Sequence, residues 1–427
     1  MTNGETVTQP AHATAMAEAA EAVQAVQTVQ TAPVSSLPFE QSCPLRPAPE
    51  LLALQERGPV HRVRTLMGDQ AWLVTGYEEV RALYGGDRLS RSHPRPERAA
   101  RLTASALFGG RPRENYATED ADRMWVRGLL HGVMAPARLR ELRPWLDRLV
   151  TRLLDELAAG PRPVDLIDRL ALPLPTLVIC KLLGVPEEDL ARCRELTEAI
   201  ASARDEQRSA TGLAELTEHL RELVADGRAA PDGLLSHLRA APYRLPADVV
   251  APIGAALMFT GHHTTGVAIG YAVLLLLTHP DQHQALLADP AKLPAAVEEC
   301  LRVGNVGVNT GGGNGIPTYA RADFESAGVP IRAGDLVLLD TGAANHDDRA
   351  FADAYRFDID RPANPHLTFG YGRHYCPGAG LARVELHAVL SQLLPRFPDL
   401  RLAVPSEELR AHDDQITGGL RTLPVTW

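Results

Sequence analysis

The apolar and polar positions along the chain divide it into stretches of different character. Residues 1 to 36 repeat Ala, Gln, Val and Thr, as in AEAAEAVQAVQTVQTA. So few large apolar side chains cannot offset the entropy of ordering, and a disordered or weakly ordered N-terminal extension is expected. The folded part is expected from Leu37-Pro38-Phe39 onward. LRPAPELLALQERGPV predicts a short helix stopped by Gly58-Pro59. HRVRT and AWLVT alternate with period two, as a small strand pair does. Residues 86 to 120 are rich in Arg, Pro, Ser and Gly without sustained periodicity, which predicts a long loop of the kind that often carries function.

From about residue 121 the pattern turns helical. LRELRPWLDRLVTRLLDELAAG sets Leu, Trp and Val at spacings of three and four before Gly160, and amphipathic segments continue to residue 240. Residues 247–278, ADVVAPIGAALMFTGHHTTGVAIGYAVLLLLT, are apolar on every side. A membrane span has to be weighed, but Gly261-His262-His263-Thr264-Thr265 falls at the middle, where a bilayer tolerates polar groups least. A long helix through the centre of a large soluble protein is the expectation. No linker divides residues 37–427, so one mainly α catalytic domain with a small β-sheet region is expected.

Composition narrows the function classes. Of 427 residues 45% are hydrophobic and 22% charged, and the formal net charge of −10 argues against nucleic acid or an anionic membrane as partner. Cysteines stand at 43, 180, 193, 300 and 376 without a CxxC pair, so neither a disulfide framework nor a zinc ribbon is expected, and the compartment is read as reducing. No secretory signal is visible, which makes a cytoplasmic location the expectation. Lys181 and Lys292 are the only lysines.

The strongest chemical signal is FGYGRHYCPGAGLARVEL, residues 369–386. Gly370 and Gly372 allow a tight backbone course beside a flat ligand. Cys376 precedes Pro377 and an amphipathic helix expected over 379–394. Proline suits a first helical position, and a cysteine at a helix N-terminus is biased towards thiolate. Such a thiolate is suited to be an axial iron ligand.

This string resembles the haem-ligand loop of the cytochrome P450 family, FGxGxHxCxG, with every fixed position matched, and three further motifs follow the family's order across residues 37–427. Glu299-Cys300-Leu301-Arg302 resembles the ExxR signature. FADAYRFDIDR resembles the segment that brings a second arginine, Arg361, to the same glutamate. The resemblance implies that Glu299, Arg302 and Arg361 form a structural clamp. Thr260-Gly261-His262-His263-Thr264 resembles the span that bends over the iron. There Gly261 would let a ligand approach, and Thr264 would help deliver protons to bound dioxygen. His263 stands where the family has an acid, and either relays protons or packs against another helix. DRMWVRGLL resembles the helix of propionate partners, with Arg127 matching the family's arginine and Arg123 in the usual place of a histidine. His374 matches another propionate contact. An arginine usual in the strand after ExxR is replaced by Thr318.

The resemblance therefore implies the cytochrome P450 fold, with a long central helix crossing the haem. It implies haem b held by the Cys376 thiolate, with Phe369, Gly370 and Gly378 around it. Electrons would come from NAD(P)H through a separate ferredoxin and ferredoxin reductase, since the cysteines lack ferredoxin spacing. Dioxygen would be activated to oxidise a small organic molecule, as in tailoring of a secondary metabolite. The reaction is read as hydroxylation, or as oxidative C–C or C–N coupling of an aromatic or cyclic-peptide-like substrate, towards which His263 leans. A non-catalytic haem-thiolate ligand or gas sensor is the alternative. Leu257, Thr260, Val306 and Val308 are the candidate substrate contacts. GNVGVNTGGGNG (304–315) follows a helix, so it is not read as a dinucleotide loop. Pro377 removes an N–H that could otherwise point at the sulfur.

Overall fold

The computed structural model describes residues 34–304 and 315–427. Its strands are β1 (Ser35–Ser36), β2 (Val60–Arg64), β3 (Gln70–Val74), β4 (Leu89–Ser90), β5 (Val164–Asp165), β6 (Ile316–Ala320), β7 (Phe324–Ser326), β8 (Val329–Ile331), β9 (Leu336–Leu339), β10 (Arg401–Leu402) and β11 (Pro424–Thr426). The helices begin with α1 (Pro49–Arg57), α2 (Tyr77–Gly85), α3 (Glu119–His131), α4 (Pro136–Ala159), α5 (Pro173–Leu183), α6 (Leu190–Ile200), α7 (Glu206–Ala225) and α8 (Leu234–Arg239). They continue with the long α9 (Ala247–Thr278), then α10 (Pro280–Ala288), α11 (Leu293–Val303), α12 (Thr341–Asn345) and α13 (Ala379–Arg396).

The helices form where the apolar spacing asks for them. In α4, Leu139, Leu142, Leu146, Leu149, Leu153 and Leu157 are all buried at steps of three and four, Pro136 opens the first turn, and Gly160 ends the helix. Helix α9 is buried on nearly every side and lies against α5, α7, α8, α11 and α13. Among the described residues no helix is long and apolar enough to cross a membrane.

One sheet runs in the order β1-β2-β3-β9-β6-β4, with β2 and β3 antiparallel as their alternation predicts. Its outer pair joins β4 to β6, with Leu89 opposite Ala320 and Ser90 opposite Tyr319. Two details differ from the sequence reading. Ser35 and Ser36 already pair with Val63 and Arg64, ahead of the expected start at Leu37. Pro377 is not the first helical residue of α13, which opens at Ala379 behind Gly378.

Candidate active site

The approach to Cys376 is fixed from behind by α11. Both oxygens of Glu299 accept from Arg302 at 2.8 Å, and Arg361 Nε donates to the same carboxylate at 3.2 Å. The backbone N–H of Asp358 and the amide of Asn364 complete its shell, each at 3.0 Å. Arg302 donates in turn to the carbonyl of Asn345 (2.8 Å). The Asn345 side chain accepts from Leu367 N–H (2.7 Å) and donates to Thr368 Oγ1 (2.9 Å). An unbroken polar chain thus runs from the ExxR pair to the residue before Phe369.

From there the backbone doubles back. Cys376 N–H donates to Phe369 O at 2.8 Å and closes the loop. Gly370 (φ +70°) and Gly372 (φ +57°) adopt left-handed conformations that a side chain would strain. A Cβ at Gly372 would also lie 3.2 Å from the Gly85 Cα at the end of α2. Phe369 lies beneath the Arg383 guanidinium, 4.5 Å from its ring centre. The Cys376 sulfur is half-buried at the start of α13. Desolvation raises its pKa, while the N–H groups of Gly378 and Ala379 and the charges of Arg91 and Arg127 pull the other way. The net shift is upward, against the bias towards thiolate expected of the helix N-terminus. A coordinated cation would take the proton off.

Cationic groups gather on one side of this loop. Arg127 donates to Tyr375 O at 2.7 Å. Arg123 reaches Asp120 at 2.9 Å, and Arg373 pairs with the same aspartate. The Nε atoms of Arg123 and Arg373 are buried without a partner among the described residues. His374 is pushed down to about 4 by burial and by the charges of Arg91, Arg123 and Arg373. It is therefore a neutral ring in a positive surrounding. Thr318 is buried in β6, its hydroxyl donating to Val337 O at 2.8 Å.

Helix α9 carries the third group of candidate residues. In its otherwise buried middle, Ala256, Leu257, Thr260, Gly261 and Thr264 keep partial exposure, at spacings of one, three, one and three that define one face. Thr264 Oγ1 donates to Thr260 O (3.0 Å), and Thr260 Oγ1 to Ala256 O (2.8 Å), so the stripe is lined by hydroxyls turned onto the helix. Gly261 also serves helix packing: its absent side chain faces α5, where a Cβ would meet Ile179 Cδ1 at 2.8 Å.

His263 is off this face. Its ring packs against Phe259 and His262, with centroids 5.4 and 4.5 Å away. Its Nε2 has no partner among the described residues. Burial first, then the charges of His262, His412 and Arg194, hold its pKa well below the usual histidine value. His262 bonds to Met258 O (2.8 Å) and approaches Thr197 of α6 (3.3 Å). Val306 and Val308 lie outside the described residues.

Two groups escaped the sequence reading. Glu385 in α13 is fully buried with neither oxygen partnered among the described residues, and burial holds it protonated well above the usual carboxylate range. Glu298 sits one residue before the clamp glutamate. Burial opposes its ionisation, but hydrogen bonds from Arg383 and His366 bring it down to about 2. A carboxylate inside the helical string ARVEL was the available signal for Glu385, yet its one-turn neighbours do not reveal how deep the helix lies.

Comparison with known proteins follows this geometry. The family model described as Cytochrome P450 matches residues 243–411. The chain is similar to pentalenolactone synthase of Streptomyces exfoliatus, 42% identical over 92% of this chain and 98% of the relative. It is also similar to mycinamicin IV hydroxylase/epoxidase of Micromonospora griseorubida, 37% identical over 88% and 94%. The crystal structure of substrate-free PimD, a polyene macrolide antibiotic pimaricin epoxidase, superposes with a TM-score of 0.83 at 36% identity, covering 93% of this chain and all of that one.

Proposed function

The chain belongs to the cytochrome P450 family, and from that premise we propose that it oxidises a cyclic secondary metabolite at a haem held by Cys376. Membership makes it a monooxygenase and sets aside the gas- or ligand-sensor alternative. The family's haem-thiolate iron group fits the residues present. One half-buried sulfur faces no competing ligand set among the described residues, beside buried guanidinium nitrogens that lack partners. Bound there, the haem supplies dioxygen activation and an oxidant able to attack an unactivated C–H bond.

In this reading Cys376 is the iron ligand, and Arg123, Arg127 and His374 receive the propionates. Phe369, Gly370 and Gly378 shape the sulfur side. Leu257 and Thr260 contact the substrate along the accessible face of α9, and Thr264 holds a proton there. His263 stands in the position of the family's acid, and its neutral ring, off the face of Thr264, packs against Phe259 and His262. Residues 37–427 act as one catalytic unit, consistent with relatives that align over 92% of the chain.

Pentalenolactone synthase, the mycinamicin IV hydroxylase/epoxidase and the pimaricin epoxidase are named for secondary metabolites, the last of them a polyene macrolide. A substrate of that class, hydroxylated or closed into a further ring, is the reading they support. Oxidative C–C or C–N coupling of an aromatic or cyclic-peptide-like molecule is the second reading, favoured by His263 in the acid's position. Electrons are proposed to arrive from NAD(P)H through a ferredoxin reductase and a ferredoxin. Met124 and Trp125, 66% and 46% exposed on α3 beside Arg127, offer that partner an apolar foothold. A cytoplasmic setting agrees with five free cysteines.

The observation that carries this proposal is the Cys376 loop itself, closed by the Cys376 N–H to Phe369 O bond of 2.8 Å, seated ahead of α13 and tied from behind to the Glu299–Arg302 pair. Reduced protein under carbon monoxide should give the red-displaced Soret band of thiolate ligation, and Cys376→Ser should abolish it. A wild-type protein without that band sinks the reading. Titration of ferric protein with cyclic metabolites, followed by product analysis with surrogate redox proteins, then names the substrate.

A further inference from the structure

One guanidinium in the cationic cluster has neither a hydrogen bond nor an ion pair among the described residues. Around Cys376, Arg123 and Arg373 share Asp120, Arg321 pairs with Glu119 (2.8 Å), and Arg127 donates to Tyr375 O. The Arg91 side chain has no hydrogen bond or ion pair among the described residues. Its backbone is firmly placed: Arg91 N–H donates to Glu119 Oε1 at 2.8 Å, in the first turn of α3 and four residues ahead of Arg123. The carboxylate that anchors it is itself buried and held by Arg321 and Ser90.

The Arg91 side chain remains accessible, yet burial depresses its guanidinium, with Tyr84, Glu119 and Cys376 acting in the opposite sense and Arg113 adding to the depression. Arg91 is also the leading charge felt by His374. A partly desolvated cation without a partner is costly, and a bound anion offsets that cost.

The sheet indicates which anion. β4 runs antiparallel to β6 with Ser90 against Tyr319. Arg91 is the residue just past the end of β4, and Thr318, where the family's strand arginine is missing, is the residue just before Tyr319 in β6.

We infer that Arg91 holds a haem propionate from β4, in place of the arginine that Thr318 replaces on β6. The inference rests on Cys376 as the haem ligand. Arg91 is then a cofactor-binding residue, one strand removed from the usual donor.

The test is haem transfer from wild-type, Arg91→Gln and Arg91→Lys holoproteins to excess apomyoglobin, followed by the Soret change. Loss of one charge-assisted contact should speed release from Arg91→Gln about tenfold, and Arg91→Lys should regain most of the retention. Equal release from Arg91→Gln and wild type, both with the thiolate Soret band under carbon monoxide, overturns the role of Arg91 and leaves Cys376 standing. Arg91→Lys no better than Arg91→Gln points to packing and overturns it too. So does normal haem retention with weakened binding of a fatty acid but not of its methyl ester, since the anion would then be substrate. A wild-type protein without the thiolate band overturns both readings.

Discussion

Arg302 grips Glu299 through two parallel hydrogen bonds of 2.8 Å, with both side chains sealed from solvent. The pair gains its importance from what hangs on it. Arg302 also binds three backbone carbonyls, those of Asn345, Ala354 and Arg356, and Asn345 holds the segment entering the Cys376 loop. Removing the carboxylate leaves a buried guanidinium uncompensated, which costs about 3–5 kcal/mol. Glu299→Ala is expected to accumulate little holoprotein, and what forms should unfold at lower denaturant than wild type. A variant with wild-type haem content and midpoint would refute the clamp.

Gly261→Ala drives a methyl into Ile179 of α5. Overpacking of this kind costs about 1–3 kcal/mol. Because the nearest atom is Ile179 Cδ1, which valine lacks, Ile179→Val should absorb much of that cost. The double variant is expected to be more stable than the sum of the two single changes allows. Strict additivity in denaturant titrations would show that the glycine serves something other than this contact.

Glu385 gives stability a pH signature. Its folded pKa lies well above the unfolded value near 4.5, so the folded state holds its proton after the unfolded chain has lost it. The contribution is full below about pH 4.5 and falls by about 1.4 kcal/mol per pH unit up to the folded pKa. Glu385→Gln removes the titration. It should match or exceed wild-type stability at pH 8 and fall below it at pH 4.5. Parallel stability curves for the two proteins would reject this.

Proton handling separates Thr264 from its neighbours. Thr264→Ala should leave NADPH consumption largely intact while product per NADPH drops about tenfold or more, with the electrons appearing as peroxide. His263→Phe keeps a ring against Phe259 and His262 but deletes the unpartnered nitrogen. A smaller loss, about threefold to tenfold, is expected if that nitrogen relays protons. Unchanged coupling in His263→Phe would assign the ring to packing alone.

Pro377 withholds an N–H next to a sulfur whose charge the N–H groups of Gly378 and Ala379 already favour. Pro377→Leu is expected to raise the haem reduction potential, because a further donor of roughly 1 kcal/mol draws charge off the sulfur. Spectroelectrochemical titration giving an unchanged or lowered value would reject it.

Elements with a strong period were legible before any coordinates. The α1 helix ending at Gly58, the β2–β3 pair, α4 up to Gly160 and the whole of α9 stand where their patterns put them. In each, burial of one face or stripe is written into neighbours two, three or four residues apart. Cys376, Glu299, Arg302 and Arg361 were legible because motif spacing carries them. The packing role of Gly261 was not, since it depends on Ile179, eighty-two residues earlier in the chain. Nor was the direction of His263, which one helical step of about 100° turns away from the face that holds Thr264.

The sequence by itself therefore determined the family, the place of Cys376 ahead of α13, the clamp and the length of the central helix, all of them local patterns or fixed spacings. Tertiary structure alone decided which face of α9 stays open, that burial outweighs the helix terminus at Cys376, that Glu385 is buried protonated, and that the Arg91 backbone is anchored on Glu119 of α3. Each of these depends on distances between segments far apart in the chain, and on the desolvation that their packing imposes. No local window of residues encodes either.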